Sequence, residues 1–136
     1  MRALFVLCLL VLVACSGGPE SPALPPLPLE AGSWRRAALE YPPLPEAPEL
    51  ARTLGAREWA RTRYTRDGEQ IVVSAFAFAA EVSAFEAQQK WTHQRGGMSF
   101  HRGRRFVVFS APTISMTELL AFSGDLEKAW LSPSQP

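Results

Sequence analysis

The sequence predicts an α+β domain in which two strand–strand–helix units form a four-stranded antiparallel sheet with both helices packed on one face. Three observations predict it. Two pairs of strand-like runs are joined by Gly-containing turns, and a Ser-x-x-Glu capping box follows each pair. Between them, Ile71-Val72-Val73-Ser74-Ala75-Phe76-Ala77-Phe78 is apolar at almost every position, as expected of a central strand covered on both sides. The 136 residues, 47% hydrophobic and 20% charged, supply enough apolar material for one such domain.

At the start of the chain, Met1-Arg2 is followed by an apolar run from Ala3 to Ala14, which ends at Cys15-Ser16-Gly17-Gly18. A membrane-spanning helix needs about 20 apolar residues, so this run reads as a secretory signal peptide over residues 1–14. Leu12-Val13-Ala14-Cys15 resembles the lipobox of bacterial lipoproteins, an aliphatic residue, a tolerant position and a small residue before a cysteine. The resemblance implies acylation of Cys15, cleavage just before it, and a chain anchored to a membrane in the cell envelope. It also implies the outer membrane, facing the periplasm, if the source is Gram-negative, because Ser16 and not Asp follows the cysteine. Cys8 would leave with the signal and Cys15 would carry lipid, so the mature chain would hold no free thiol.

Residues 15–33 are expected to be the lipidated cysteine and a Pro-rich tether. Gly17 to Glu30 holds five prolines without helical or strand period, which suits extended polyproline II. The domain proper is expected over 34–131, with a tail over 132–136. Trp34 to Tyr41 reads as an edge strand or loop, and Pro48 to Gly55 as a helix of two turns with Pro at its start and Gly at its end.

Glu58 to Tyr64 and Gln70 to Phe78 flank Thr65-Arg66-Asp67-Gly68, a hairpin signal. The capping box Ser83-Ala84-Phe85-Glu86 predicts a helix from Ser83 to Thr92 that buries Phe85 and Trp91. Met98 to His101 and Arg105 to Ser110 flank Arg102-Gly103-Arg104, a second turn. Ser115-Met116-Thr117-Glu118 then predicts a helix to Leu131 with Met116, Leu119, Leu120, Ser123, Leu126 and Trp130 on one stripe. Trp34, Tyr41, Leu44, Leu50 and Leu54 are the expected cover for the sheet's other face. From Trp34 to Trp130 the chain resembles, loosely, a family of uncharacterised exported bacterial proteins. The features are the Trp after a Pro-rich stretch, Gly55-Ala56, Tyr64, the apolar strand and Ser83-Ala84-Phe85.

Composition removes several function classes. Fourteen Lys and Arg against thirteen Asp and Glu give a net charge of +1, without the single-sign excess of a dedicated nucleic-acid binder. Arg102 to Phe109 matches the RNA-recognition strand motif in part, but Arg104 and Arg105 replace the aromatic and small residues it needs, so no nucleic-acid partner is expected. His93 and His101 have no ligand-spaced partners in sequence, so no metal and no cofactor is expected. Ser110 and Ser115 lack a nucleophile elbow.

The remaining asymmetry is basic. Arg61 and Arg63 flank one hairpin and Arg102, Arg104 and Arg105 the other. Side by side, the hairpin ends would form an Arg patch able to grip phosphate or carboxylate. The expected function is therefore a lipid-anchored, non-catalytic binding or assembly module. Its partners would be the membrane, through the N-terminal lipid, and an envelope protein or an anionic glycan or lipid. The alternatives are an envelope enzyme using His101 with a carboxylate, and a structural subunit of an envelope complex.

Overall fold

The computed structural model describes residues 24–93 and 95–131. Its strands are β1 (Glu30–Ala31), β2 (Trp34–Arg36), β3 (Ala56–Arg66), β4 (Glu69–Phe78), β5 (Gly97–Arg102) and β6 (Arg105–Ser110). The helices are α1 (Glu49–Thr53), α2 (Glu81–Lys90) and α3 (Met116–Leu131), with a 3₁₀ turn at Leu44–Glu46. All six strands pair antiparallel, in the order β1-β2-β3-β4-β6-β5. The expected four-stranded sheet with two helices on one face is thus corrected to a six-stranded, curled half-barrel with three helices on two faces.

The correction follows from the period-2 alternation of the central strands. In β4, Ile71, Val73, Ala75 and Ala77 join one core with Tyr64, Val107 and Phe109, under Leu119, Phe122, Leu126 and Trp130 of α3. The intervening Phe76 and Phe78 join a second core with Trp59 and Phe106, under Ala84 and Ala87 of α2 and Ala51 of α1. Two apolar faces need two covers, so the helices are divided between them. Strand order does the rest: β6 lies between β4 and β5, which makes β4 and β5 parallel and α2 the crossover between them. The curl encloses α3, because both edges of the sheet reach it. β1 packs against α3 at one edge, and Arg102 of β5 is paired with Glu127 of α3 at the other.

Each core has an aromatic hub. On the concave face, Phe122 makes edge contacts with Trp34, Tyr64 and Phe109 at centroid distances of 5.9, 5.1 and 5.5 Å. On the convex face, Phe76 stacks on Trp59 at 5.6 Å and lies against Trp91 and Phe106. Such pairs add about 0.5–1.5 kcal/mol each beyond the area they bury.

Among the described residues the core reaches ten residues before the expected Trp34. Leu24, Leu27 and Ala31 are buried in the concave core. Three backbone carbonyls of this segment are tied down: Pro25 accepts from Trp130 Nε1 at 3.1 Å, Leu27 from Arg36 at 2.9 Å, and Pro28 from the Tyr64 hydroxyl at 2.6 Å. Prolines suit an extended segment, and Leu24 and Leu27 pack in the concave core with Trp34 and with Leu126 and Trp130 of α3. From Leu24 onward it is core and not tether. Trp34 joins this same core, so it does not cover the convex face. Tyr41 is exposed, and Leu54, with α1, packs on the Trp59 cluster instead.

The local signals divide into those the fold keeps and those it overrides. Asp67 and Gly68 both adopt positive φ, 49° and 81°, as a two-residue hairpin of the type I′ kind requires. Ser115 caps α3, its Oγ accepting from the Glu118 amide at 3.2 Å. α2, by contrast, starts at Glu81 after Ala80, with no side-chain cap, and Ser83 lies within its first turn. Phe85 is consequently rotated outward and Ala84 and Ala87 face the sheet. On α3, Met116 and Leu120 are exposed, and Phe122 takes the central place.

Two stability outcomes follow. Gly96 has φ +77°, and a Cβ there would meet Pro112 Cα at 2.6 Å, whereas nothing lies within 4 Å of a Cβ on helical Gly124. Gly96→Ala is expected to destabilise by about 1–3 kcal/mol and Gly124→Ala to stabilise by about 0.5–1 kcal/mol, read as opposite shifts of the thermal midpoint. Leu27→Ala is expected to cost about 2–5 kcal/mol in denaturant unfolding. A change under about 0.5 kcal/mol, the range of ordinary surface substitutions, would return that segment to the tether.

Candidate functional site: two separated basic surfaces

The basic side chains singled out in the sequence fall at two places. The β3–β4 turn at Asp67-Gly68 and the β5–β6 turn at Gly103-Arg104 lie at opposite ends of the sheet, because Val72 pairs with Ser110 while Ala77 pairs with Arg105. The length of β4, roughly 25–30 Å at about 3.3 Å per residue, separates them. Arg61 and Arg63, opposite Ser74 and Val72 in mid-strand, lie with Trp59 on one face of the sheet, whereas Arg105 lies against Trp130 on the other, so they do not join Arg102, Arg104 and Arg105 in one patch.

Arg61 and Arg63 project from the convex face of β3, alternating with Thr62 and Tyr64 on the concave side. A strap formed by residues 37–40 runs beside them. It is held by hydrogen bonds from the Ala37 amide to the Arg63 carbonyl and, in both directions, between Glu40 and Arg61. The buried Thr62 hydroxyl lies 3.2 and 3.0 Å from the Ala37 and Ala38 carbonyls, which fixes the strap's path. An open cleft of about 560 Å³ results, lined by Ala37, Ala38, Glu40, Arg61, Thr62, Arg63 and Val72. Arg61 is paired with Glu40 at 3.2 Å and lies over the Trp59 ring at 5.5 Å. Arg63 is exposed beside it. One half-neutralised and one exposed guanidinium beside small apolar side chains suit an anionic group carried on a neutral body.

The second surface lies at the β5–β6 end. Arg102 pairs with Glu127, Arg104 is exposed, and the Arg105 guanidinium lies 5.7 Å from the Trp130 ring centroid. Burial first, and then the neighbouring Arg104 charge, hold the Arg105 pKa below the ordinary arginine value. Two cations close enough to repel are a ready counterpart for phosphate or carboxylate oxygens. Lys128, in the last turn of α3, adds a cation where the helix dipole favours one.

The histidines sit elsewhere. His93 Nε2 is 2.7 Å from Ser99 Oγ. His101 Nδ1 contacts the Gln88 amide oxygen, and its ring meets Phe85 edge-on at 5.4 Å. The partner of His101 is thus an amide where the enzyme alternative needs a carboxylate. Among the described residues no group of three or more His, Cys, Asp or Glu gathers to hold a metal, and no helix is long and apolar enough to cross a membrane. Phe106 and Phe109, the rings of the partial RNA-recognition motif, are fully buried. The sequence places Ala37, Ala38 and Glu40 in an edge strand or loop, but it carries no signal that this segment and β3 form a cleft. Compared with known proteins, the chain matches no family model, no curated protein and no solved structure.

Tyr64 carries the clearest titration signature. Its burial raises the phenol pKa far above the ordinary value near 10, against a smaller opposing pull from Arg36. A raised folded-state pKa means that the folded protein retains a proton the unfolded chain has lost, so this contribution to stability is complete below about pH 10 and declines above it. Unfolding midpoints measured from pH 8 to pH 11.5 are expected to fall above about pH 10, and Tyr64→Phe, which cannot ionise, is expected to flatten that fall.

Proposed function

We propose that the chain is a lipid-anchored cell-envelope protein whose folded part is a non-catalytic binding or assembly module, held to a bilayer through acyl chains on Cys15. The observation that carries this reading is the ordered run from Arg2 through Ala3–Ala14 to Leu12-Val13-Ala14-Cys15, nine residues before Leu24, the first buried side chain among the described residues. Each buried CH₂ contributes about 0.8 kcal/mol to membrane affinity, so two or three acyl chains retain a small domain for long times.

Nine residues extend at most about 32 Å, which keeps the module within about one domain's width of the bilayer. That is a shorter reach than a tether running to residue 33 would give. In this reading the Arg61–Arg63 cleft recognises an anionic group on an envelope protein or on a carboxylate- or phosphate-bearing glycan. Its fixed strap and short range suit a partner that is itself part of the envelope.

Intact-mass measurement of the membrane-fraction protein is expected to give a chain starting at Cys15 with fatty-acyl mass, and Cys15→Ala is expected to abolish both cleavage and acylation. A soluble product still bearing Met1 would overturn the anchoring. For the cleft, envelope material recovered on the wild-type chain is expected to be depleted on Arg61→Glu/Arg63→Glu, and identical recoveries would remove the cleft from the proposal.

A further inference from the structure

The first described residues lead to the second basic surface. The Pro25 carbonyl accepts a hydrogen bond from Trp130 Nε1 at 3.1 Å, and the ring of Trp130 lies 5.7 Å from the Arg105 guanidinium. The described part of the polypeptide therefore starts beside Arg105, at the β5–β6 end. Gly103-Arg104 forms the turn at that end, and the Arg104 carbonyl accepts from the Phe78 amide at 2.8 Å. A lipid on Cys15 would act from this side of the domain.

The arginines of the β5–β6 turn are gathered at this same end. At the β5–β6 end, Arg102, Arg104, Arg105 and Lys128 cluster with Glu127, while Glu49 and Arg52 of α1, Arg57 and Glu58 of β3 and Glu81 of α2 lie on the neighbouring element ends. At the β3–β4 end the charges nearly balance: Arg35 and Arg36 of β2 pair in register with Thr65 and Tyr64 there, and Arg35 is bound to Glu30 at 3.1 Å. Arg66 is held by Glu69 at 3.6 Å and Glu118 at 3.3 Å, and Asp67 in the turn adds a further negative charge. A domain tethered by its basic end to a surface bearing phosphate groups would be turned by both the tether and the field.

We infer that the β5–β6 end is a bilayer-facing surface, on which Arg102, Arg104 and Arg105 meet the phosphate groups of anionic phospholipid. The inference rests on the anchoring proposed above and extends it by fixing which end of the domain faces the membrane. The Arg61–Arg63 cleft, on the convex face of β3 and away from Trp130, is then left open to a partner.

The test uses the mature acylated chain in vesicles of phosphatidylcholine, with or without phosphatidylglycerol, whose headgroups carry a quencher. Ala79, exposed at the β5–β6 end, and Thr65, exposed at the other, are the labelling positions: Ala79→Cys and Thr65→Cys each take a fluorophore. Quenching is expected to be roughly threefold stronger at the Ala79 site than at the Thr65 site in anionic vesicles. That difference is expected to shrink at high salt and in Arg102→Glu/Arg104→Glu. Equal quenching at both sites, or a difference indifferent to salt and to charge reversal, would overturn the orientation while the chain stays on the vesicles. A chain that carries no acyl mass and leaves the vesicles would overturn the anchoring and the orientation together. The salt series needs no charge reversal, so a charge-reversed variant that fails to fold leaves the outcome readable.

Discussion

Burial of β4 on both faces is the constraint on which the rest of this structure depends. A strand with Ile71, Val73, Ala75 and Ala77 on one side and Phe76 and Phe78 on the other cannot stand at the wall of a two-layer sandwich. It needs cover above and below. The volumes differ between the sides: small and branched residues on the concave side let α3 approach closely, and Phe122 fills the remaining space against Trp34, Tyr64 and Phe109. On the convex side the large rings of Phe76, Trp59 and Phe106 stand up from the sheet. The facing helices meet them with alanines, Ala84 and Ala87 of α2 and Ala51 of α1. Large against small is the complementarity that allows close packing at both interfaces.

That constraint is legible in the sequence, and its consequence for the helices is not. The near-continuous apolar run predicts a doubly covered strand, yet two similar strand–strand–helix units suggest similar helix placement. What separates the units is strand order. When β6 and not β5 pairs with β4, the connection through α2 becomes a crossover and takes its own face, and a one-dimensional pattern does not specify which strand of a hairpin will pair inward. Turn chemistry is readable because it is local: Asp67-Gly68 adopts the positive φ angles its residue types favour. Ser115 is readable for the same reason. Ser83-x-x-Glu86 carries the same letters, but burying Ala84 and Ala87 against the aromatic face selects a helix that starts two residues earlier, so tertiary packing overrides the cap.

The N-terminal segment shows the complementary error. Proline-rich composition is a sound guide to extended backbone and a poor guide to exposure. Polyproline geometry leaves carbonyls without internal partners, and here Trp130, Arg36 and Tyr64 supply donors to three of them. The segment adds Leu24 and Leu27 to the concave core, with Trp34 and with Leu126 and Trp130 of α3. Nothing within residues 24–29 announces this, because the donors lie far along the chain, Trp130 among them. Tyr64 couples this contact to the sheet, and its suppressed ionisation reflects how completely the contact excludes water.

The candidate site is legible as residues and not as geometry. Clusters of arginine near two turns are plain, but a single surface requires the turns to be neighbours, and the antiparallel pairing of β4 with β6 sends them to opposite ends. The separation gives the two basic sets different surroundings. Arg61 is balanced by Glu40 on a strap whose backbone is bonded to β3, so its position is fixed before any partner arrives. Arg104 and Arg105 instead repel one another beside the point where the described part of the chain starts. A preorganised, half-neutralised cleft favours selectivity over raw attraction, whereas a cationic end of the sheet favours a diffuse anionic surface over any one shape. The division of labour follows from the sheet's topology: once β4 is covered on both faces, the arginines of β3 and those of the β5–β6 turn cannot converge on the same ligand.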